Sequence, residues 1–186
     1  MNFSVENIWK SYGKNTVLKS FSYNFSSGLY IVCGINGIGK STLLKIIAKV
    51  IKPTNMNYNI TNEKVAYLCE KIELTSENVY SFLKTIAILN NQKTDIDKLV
   101  KKWNIPKKNI NNLSKGNKQK TAILMMMLSE ANVYLFDEPT DALDTYGKEL
   151  FLEFVSELIS LNKIIIICTH EKGYFDNFRY KEITLK

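Results

Sequence analysis

No apolar run in this chain is long enough to cross a bilayer: the longest, at 122–128 and 164–168, fall far short of about 20 residues. Glu6 lies close to Met1 and no basic segment precedes an apolar core, so no secretory leader is expected and cytoplasmic residence is the expectation. Cysteine is scarce as well. Cys33, Cys69 and Cys168 are an odd and dispersed set, which argues against a zinc framework or a closed set of disulfides. Each lies in apolar, strand-like sequence and reads as a reduced core thiol. There is no internal repeat and no low-complexity tract. The 186 residues leave no room for a second large domain, although 45% hydrophobic residues suffice for a sizeable core. Positive charge is in excess, 25 Lys and Arg against 18 Asp and Glu, but it is not concentrated. The basic residues stand singly or in pairs such as Lys101-Lys102 and Lys107-Lys108. Without a basic block or regular aromatic interleaving these are solvated faces, and no nucleic-acid partner is expected.

What the chain does contain is alternation of two periods. Phe3, Val5 and Ile8, then residues 17–25, alternate apolar with polar positions, punctuated by Gly13 and Ser26-Ser27-Gly28, which predicts an antiparallel β layer. Residues 29–33 are continuously apolar, as in a strand buried on both faces. Leu43, Leu44, Ile46, Ile47 and Val50 then recur at helical spacing up to Pro53. The polar segment 54–63 reads as a surface loop or weak hairpin, and 65–68 as another buried strand. Ser76 is expected to cap a helix carrying Val79, Phe82, Leu83 and Ile86 on one face, with Glu77 in its first turn. Further helices are expected over 96–103 and 119–128, and strands over 133–136 and 164–168 flank a helix from about Asp144 to Leu161. The pattern predicts one α/β domain over 1–186, with a mostly parallel doubly wound core sheet, an N-terminal antiparallel β layer and a short helical subdomain inserted over about 71–128.

Two segments carry chemistry. Gly34-Ile35-Asn36-Gly37-Ile38-Gly39-Lys40-Ser41-Thr42 fits G-x-x-x-x-G-K-[ST] and falls between a buried strand and a helix, where a phosphate loop belongs. Glycines let successive N–H groups turn inward on phosphate oxygens, and the helix N-terminus adds its dipole. Lys40 is then placed for the β- and γ-phosphates, the Ser41 hydroxyl for Mg²⁺, and Thr42 for the α-phosphate side. Phe136-Asp137-Glu138-Pro139 ends another apolar strand, so two carboxylates emerge at the sheet edge. Asp137 is the candidate for holding Mg²⁺ through its water shell, and Glu138 for polarising a water for attack. Acidic residues commonly begin loops; the phosphate loop ahead of this pair makes it specific.

With these motifs in this order, the chain resembles the nucleotide-binding domain of ABC ATPases over nearly its whole length. Leu113-Ser114-Lys115-Gly116-Asn117-Lys118-Gln119-Lys120 resembles the family signature LSGGQxQR, with Lys115 and Asn117 departing from it. Standing alone this segment reads first as a helix N-cap. Its Lys-Gly form is similar to that of drug, antimicrobial-peptide and polysaccharide exporters. Tyr12 matches the aromatic that stacks on adenine, and is equally an ordinary strand tyrosine. Asp141-Ala142-Leu143-Asp144 resembles the loop that crosses the dimer interface, and Asp144 also suits a helix cap. His170 is the only histidine; a lone histidine is commonly structural, but this one matches the family's switch histidine at the γ-phosphate. Glu70 falls where the family usually has Gln; a carboxylate can ligate Mg²⁺ or water but cannot donate an amide hydrogen bond.

The resemblance implies an ATPase using ATP and Mg²⁺, a head-to-tail homodimer or heterodimer sandwiching nucleotide, and a separate transmembrane permease that places the protein at the inner face of the membrane. An exporter subunit is the expectation. The alternative is a soluble ATP-gated regulatory or assembly module, for which a tandem cassette or a coiled-coil insertion would have spoken.

Overall fold

Two strands of alternating apolar residues open the chain and pair back on each other. In the computed structural model, which describes residues 1–70 and 77–185, β1 (Asn2–Tyr12) and β2 (Asn15–Ser26) are antiparallel, and β4 (Asn59–Ile60) adds to the other side of β1. Behind this layer stands a five-stranded parallel sheet in the order β5-β6-β7-β3-β8, formed by β3 (Gly28–Cys33), β5 (Val65–Leu68), β6 (Val133–Asp137), β7 (Ile164–Cys168) and β8 (Tyr180–Thr184). Every residue of β6 and β7 is buried, as their unbroken apolar runs require of a sheet covered on both faces.

Side chains alternate between those faces. Ile164, Ile166 and Cys168 join Val133, Leu135, the β1–β2 layer and α1 (Lys40–Ile47) in one cluster. Ile165 and Ile167 join Tyr134 and Phe136 on the other face, beneath α4 (Lys115–Met127) and α5 (Thr145–Ser160). There Phe136 and Phe151 meet edge to face at 5.2 Å, and Phe151 meets Phe175 at 6.4 Å. The described elements between β5 and β6 are α2 (Val79–Leu89), α3 (Ile96–Lys102), a 3₁₀ turn (Ile110–Asn112) and α4. No helix of the described residues is long and apolar enough to cross a membrane.

Several boundaries differ from the sequence expectation. α1 ends at Ile47 because Lys49 takes a left-handed φ of 59°. Val50 N–H then closes on Lys45 O and Lys49 N–H on Ile46 O, a Schellman-type ending that turns Val50 into solvent. The cap of α2 is Asn78, whose side chain accepts from Tyr80 N–H at 2.9 Å; Ser76 lies outside the described residues. Glu77 sits ahead of the cap rather than in the first turn, its carbonyl engaged by Ile110 N–H. Val79 and Leu83 are buried in the core, and the exposed apolar residues of α2 are Ile88 and Leu89. α4 begins at Lys115, four residues before the expected start, because its first turns bury the polar Gln119, Lys120 and Thr121. β8 had no apolar signal: only Ile183 of it is buried, as suits an edge strand. Of the three thiols only Cys168 is fully buried; Cys33 and Cys69 are partly exposed.

Phe151 is fully buried between two aromatic partners. Phe151→Ala is expected to lower the unfolding free energy by about 3–5 kcal/mol in urea titrations, whereas Leu161→Ala, at an exposed position, is expected to change it by less than about 0.5 kcal/mol.

Candidate active site

The loops that leave β3, β6 and β7 at their carboxyl ends converge at one sheet edge, where open parallel sheets bind ligands. The loop after β3 enters α1 through Gly39, at a φ of 114°; a Cβ there would lie 2.9 Å from Val17 O, so only glycine fits between the loop and the antiparallel layer. No side chain caps α1, so the N–H groups of its first turn are left without a side-chain acceptor. Lys40, 7% exposed, folds back over the loop and donates to Gly34 O at 2.8 Å and Ile35 O at 3.3 Å. Ile38 N–H closes on Ile35 O within the same loop.

Ser41 Oγ donates to Asp137 Oδ1 at 3.0 Å, and the Tyr67 hydroxyl to Asp137 Oδ2 at 3.4 Å. Burial pushes the Asp137 carboxyl above its ordinary range and Glu70 adds to the effect, while the Ser41 hydrogen bond opposes it. Glu138 follows at a φ of 48°, an unusual conformation for a glutamate. Its N–H is bonded to Cys168 O at 2.9 Å. Its carboxylate accepts from His170 N–H at 3.2 Å and lies 3.2 Å from His170 Nε2. Burial raises the Glu138 pKa too, against the lowering effect of the His170 N–H.

A cavity of 430 Å³ is lined by Asn36, Gly37, Gly39, Lys40, Ser41 and Thr42 from the loop and helix, and by Glu70, Glu138, Asp141 and His170 facing them; Asp137 is buried behind Ser41, outside the lining. That volume suits a nucleotide-sized ligand. The oxygen donors of Ser41, Asp137 and Glu70 suit Mg²⁺, a hard cation held by one or two carboxylates together with substrate phosphates. Among the described residues no three His, Cys, Asp or Glu side chains converge as a cage of their own. Gly34, Ile35 and Ile38 shape the loop without lining the cavity. Tyr12 lies outside its lining, 52% exposed, with the Lys10 ammonium 5.2 Å from its ring centre.

The signature-like segment is packed against the loop that follows Glu138. Ser114 caps α4, its Oγ accepting from Asn117 N–H at 3.2 Å. A Cβ at Gly116 would lie 2.7 Å from Ala142 O. Gln119 donates to Pro139 O at 2.9 Å, and the buried Lys120 ammonium pairs with Asp144 at 2.9 Å. Asp144 in turn caps α5, accepting from Gly147 N–H at 2.8 Å. A second cavity of 360 Å³ is lined by Lys115 and Lys118 together with Glu70, Glu138 and Asp141. Ser114, Gly116, Asn117 and Asp144 line neither cavity. Sequence reasoning did not single out Tyr67, a strand aromatic with no local signal, nor Thr140, Lys148 and Glu171, which meet at the rear of the site.

The sequence model of the ABC transporter family matches residues 13–141. An ABC transporter ATP-binding protein of Methanocaldococcus jannaschii is 32% identical over 98% of this chain and 73% of its own length. The high-affinity zinc uptake system ATP-binding protein ZnuC of Bacillus subtilis is 28% identical over 98% of this chain and 90% of its own. Among solved structures, one described as the ATP binding subunit of an ABC transporter superposes with a TM-score of 0.85 at 22% identity, covering 100% of this chain and 86% of that one; at that identity the likeness speaks for the fold.

Two expectations follow from this geometry. In an open helix, glycine to alanine is worth about 1 kcal/mol of stability. At Gly116 the approach to Ala142 O reverses the sign, and Gly116→Ala should cost about 1–3 kcal/mol in urea titrations. Asp137 has its pKa raised on folding. Such a group favours the folded state while protonated; the contribution is complete below its ordinary value of 3.8 and is lost as pH rises through the folded value. At neutral pH the ionised, buried carboxylate is therefore a cost. Asp137→Asn should raise Tm at pH 7 in Mg²⁺-free buffer, with the gain fading as pH falls toward about 4.

Proposed function

The chain belongs to the ABC transporter family and is an ATPase, and on that premise we propose that it is the motor subunit of a transporter, hydrolysing ATP in a head-to-tail dimer. The observation that carries the reading is Glu138 held against His170 at the mouth of the glycine loop. Loop N–H groups receive the phosphates, and Lys40 exchanges the carbonyls of Gly34 and Ile35 for β- and γ-phosphate oxygens. Ser41, Asp137 and Glu70 are the residues that would hold Mg²⁺. When bound, that ion neutralises charge on the phosphates. Glu138, a stronger base for its raised pKa, polarises the attacking water, and His170 holds that water against the γ-phosphate.

Ser114, Lys115, Gly116 and Asn117 complete the γ-phosphate site of a second copy of the domain. Their position supports this: Ser114, Gly116 and Asn117 stay outside their own chain's main cavity, at a helix start suited to an anion. Asp141 and Asp144 run along the same interface, and Tyr12, exposed at the end of β1, stacks on adenine. The segment carrying α2 and α3 docks a separate membrane permease, which places the protein at the inner face of the membrane. The Lys-Gly signature favours export; the zinc uptake relative shows that kinship alone selects no direction.

Glu138→Gln is expected to lower the steady-state ATPase rate by at least about 100-fold, with fluorescent-nucleotide affinity retained and an ATP-bound dimer accumulating in size-exclusion light scattering. Undiminished hydrolysis would sink the assignment.

A further inference from the structure

Behind the Glu138–His170 pair lies a set of contacts that the hydrolytic reading leaves unused. The fully buried Thr140 donates its hydroxyl to Glu171 Oε2 at 3.1 Å. Lys148 of α5 donates to the same carboxylate at 3.2 and 3.4 Å. The same ammonium reaches the Tyr174 hydroxyl at 3.0 Å and lies 4.3 Å from the centre of that ring. Glu171 N–H is itself turned onto Thr169 Oγ1 at 3.0 Å.

Sequence position gives these contacts their meaning. Thr140 lies two residues beyond Glu138, and Glu171 one beyond His170. The loops leaving β6 and β7 are thus tied twice, once through Glu138 and His170 and again through Thr140 and Glu171. An ordinary surface ion pair contributes little. Here one partner is a buried hydroxyl that would lose its acceptor if the carboxylate were removed, and the other is a lysine with only 17% of its side chain exposed. His170, whose side chain is 50% exposed, would lose the brace that holds it against Glu138.

We propose that Glu171 is the positioning residue for His170: held by Thr140 and Lys148, it fixes the 169–171 loop against the 138–140 loop so that the imidazole meets Glu138 in one geometry. This rests on the reading of Glu138 and His170 as the hydrolytic pair and adds the group that aligns them. Glu171 touches no reacting atom; its effect passes through the loop.

Because His170 is the single histidine, its imidazole resonances are assignable without ambiguity in the NMR spectrum of the whole chain. Glu138→Gln is expected to shift them in the parent protein and to shift them far less in a Glu171→Ala background. In ATPase assays Glu171→Ala should lower kcat by about 100-fold with KM and nucleotide affinity within about twofold. Glu171→Gln, which keeps an acceptor for Thr140 but not the charge for Lys148, should fall between. If Glu171→Ala does not fold, Thr140→Val serves the same measurements. The proposal is overturned if Glu138→Gln leaves the His170 signals of the parent protein unmoved. It is equally overturned if the shift persists undiminished in folded Glu171→Ala or Thr140→Val protein, or if KM rises in these variants with kcat unchanged. Should Glu138→Gln leave hydrolysis intact while the coupling to His170 still disappears on Glu171→Ala, the positioning stands and the hydrolytic reading alone fails.

Discussion

Asp137 lies opposite Cys168 in the parallel ladder of β6 and β7, and one residue further on Glu138 N–H still reaches the Cys168 carbonyl. That register decides which side chains point where. In a strand a slip of one residue exchanges the two faces, and here it would send Asp137 away from Ser41 and carry Leu135 out of the cluster it shares with α1. The same ten apolar-flanked residues that fill both faces of the sheet therefore also deliver two acids to its edge. Burial and placement are one constraint: β6 and β7 are pinned in register by packing on two sides, and the site inherits that rigidity.

The site is built against the preferences of its own groups. Glu138 occupies a left-handed conformation, a strain of about 1–3 kcal/mol for a residue of this kind. Asp137 and Glu138 sit where burial disfavours charge, with Glu70 and Asp141 beside them at the cavity wall. Hydrogen bonds from Ser41, Tyr67 and His170 N–H offset part of that cost.

Much of this was legible in the sequence because it is local. The glycine loop, the acid pair after an apolar strand and the cap at Ser114 each occupy a few consecutive residues whose chemistry states their geometry. The strand runs 29–33, 133–136 and 164–168 were legible because burial on both faces leaves an unbroken apolar run. β8 was not, since an edge strand with one buried residue has no such run. The end of α1 escaped for another reason: Val50 continues the helical period in sequence, but the left-handed Lys49 ends the helix first. Gln119 and Lys120 kept the helical period of α4 from reading back to its cap, because their burial depends on Pro139 and Asp144, some twenty residues away. Tyr67, Thr140, Lys148 and Glu171 belong to the same class; their partners lie in other elements and no spacing announces them.

The contacts of α4 bear on how force travels in this molecule. Gly116 abuts Ala142, Gln119 holds Pro139 and Lys120 holds Asp144, so one helix grips the turn after Glu138 at three heights. No glycine hinge lies between the grip and the acid. The helix and the turn are therefore joined at three points with no compliant joint between them and the acid, so that α4 and the backbone carrying Glu138 are held as one piece.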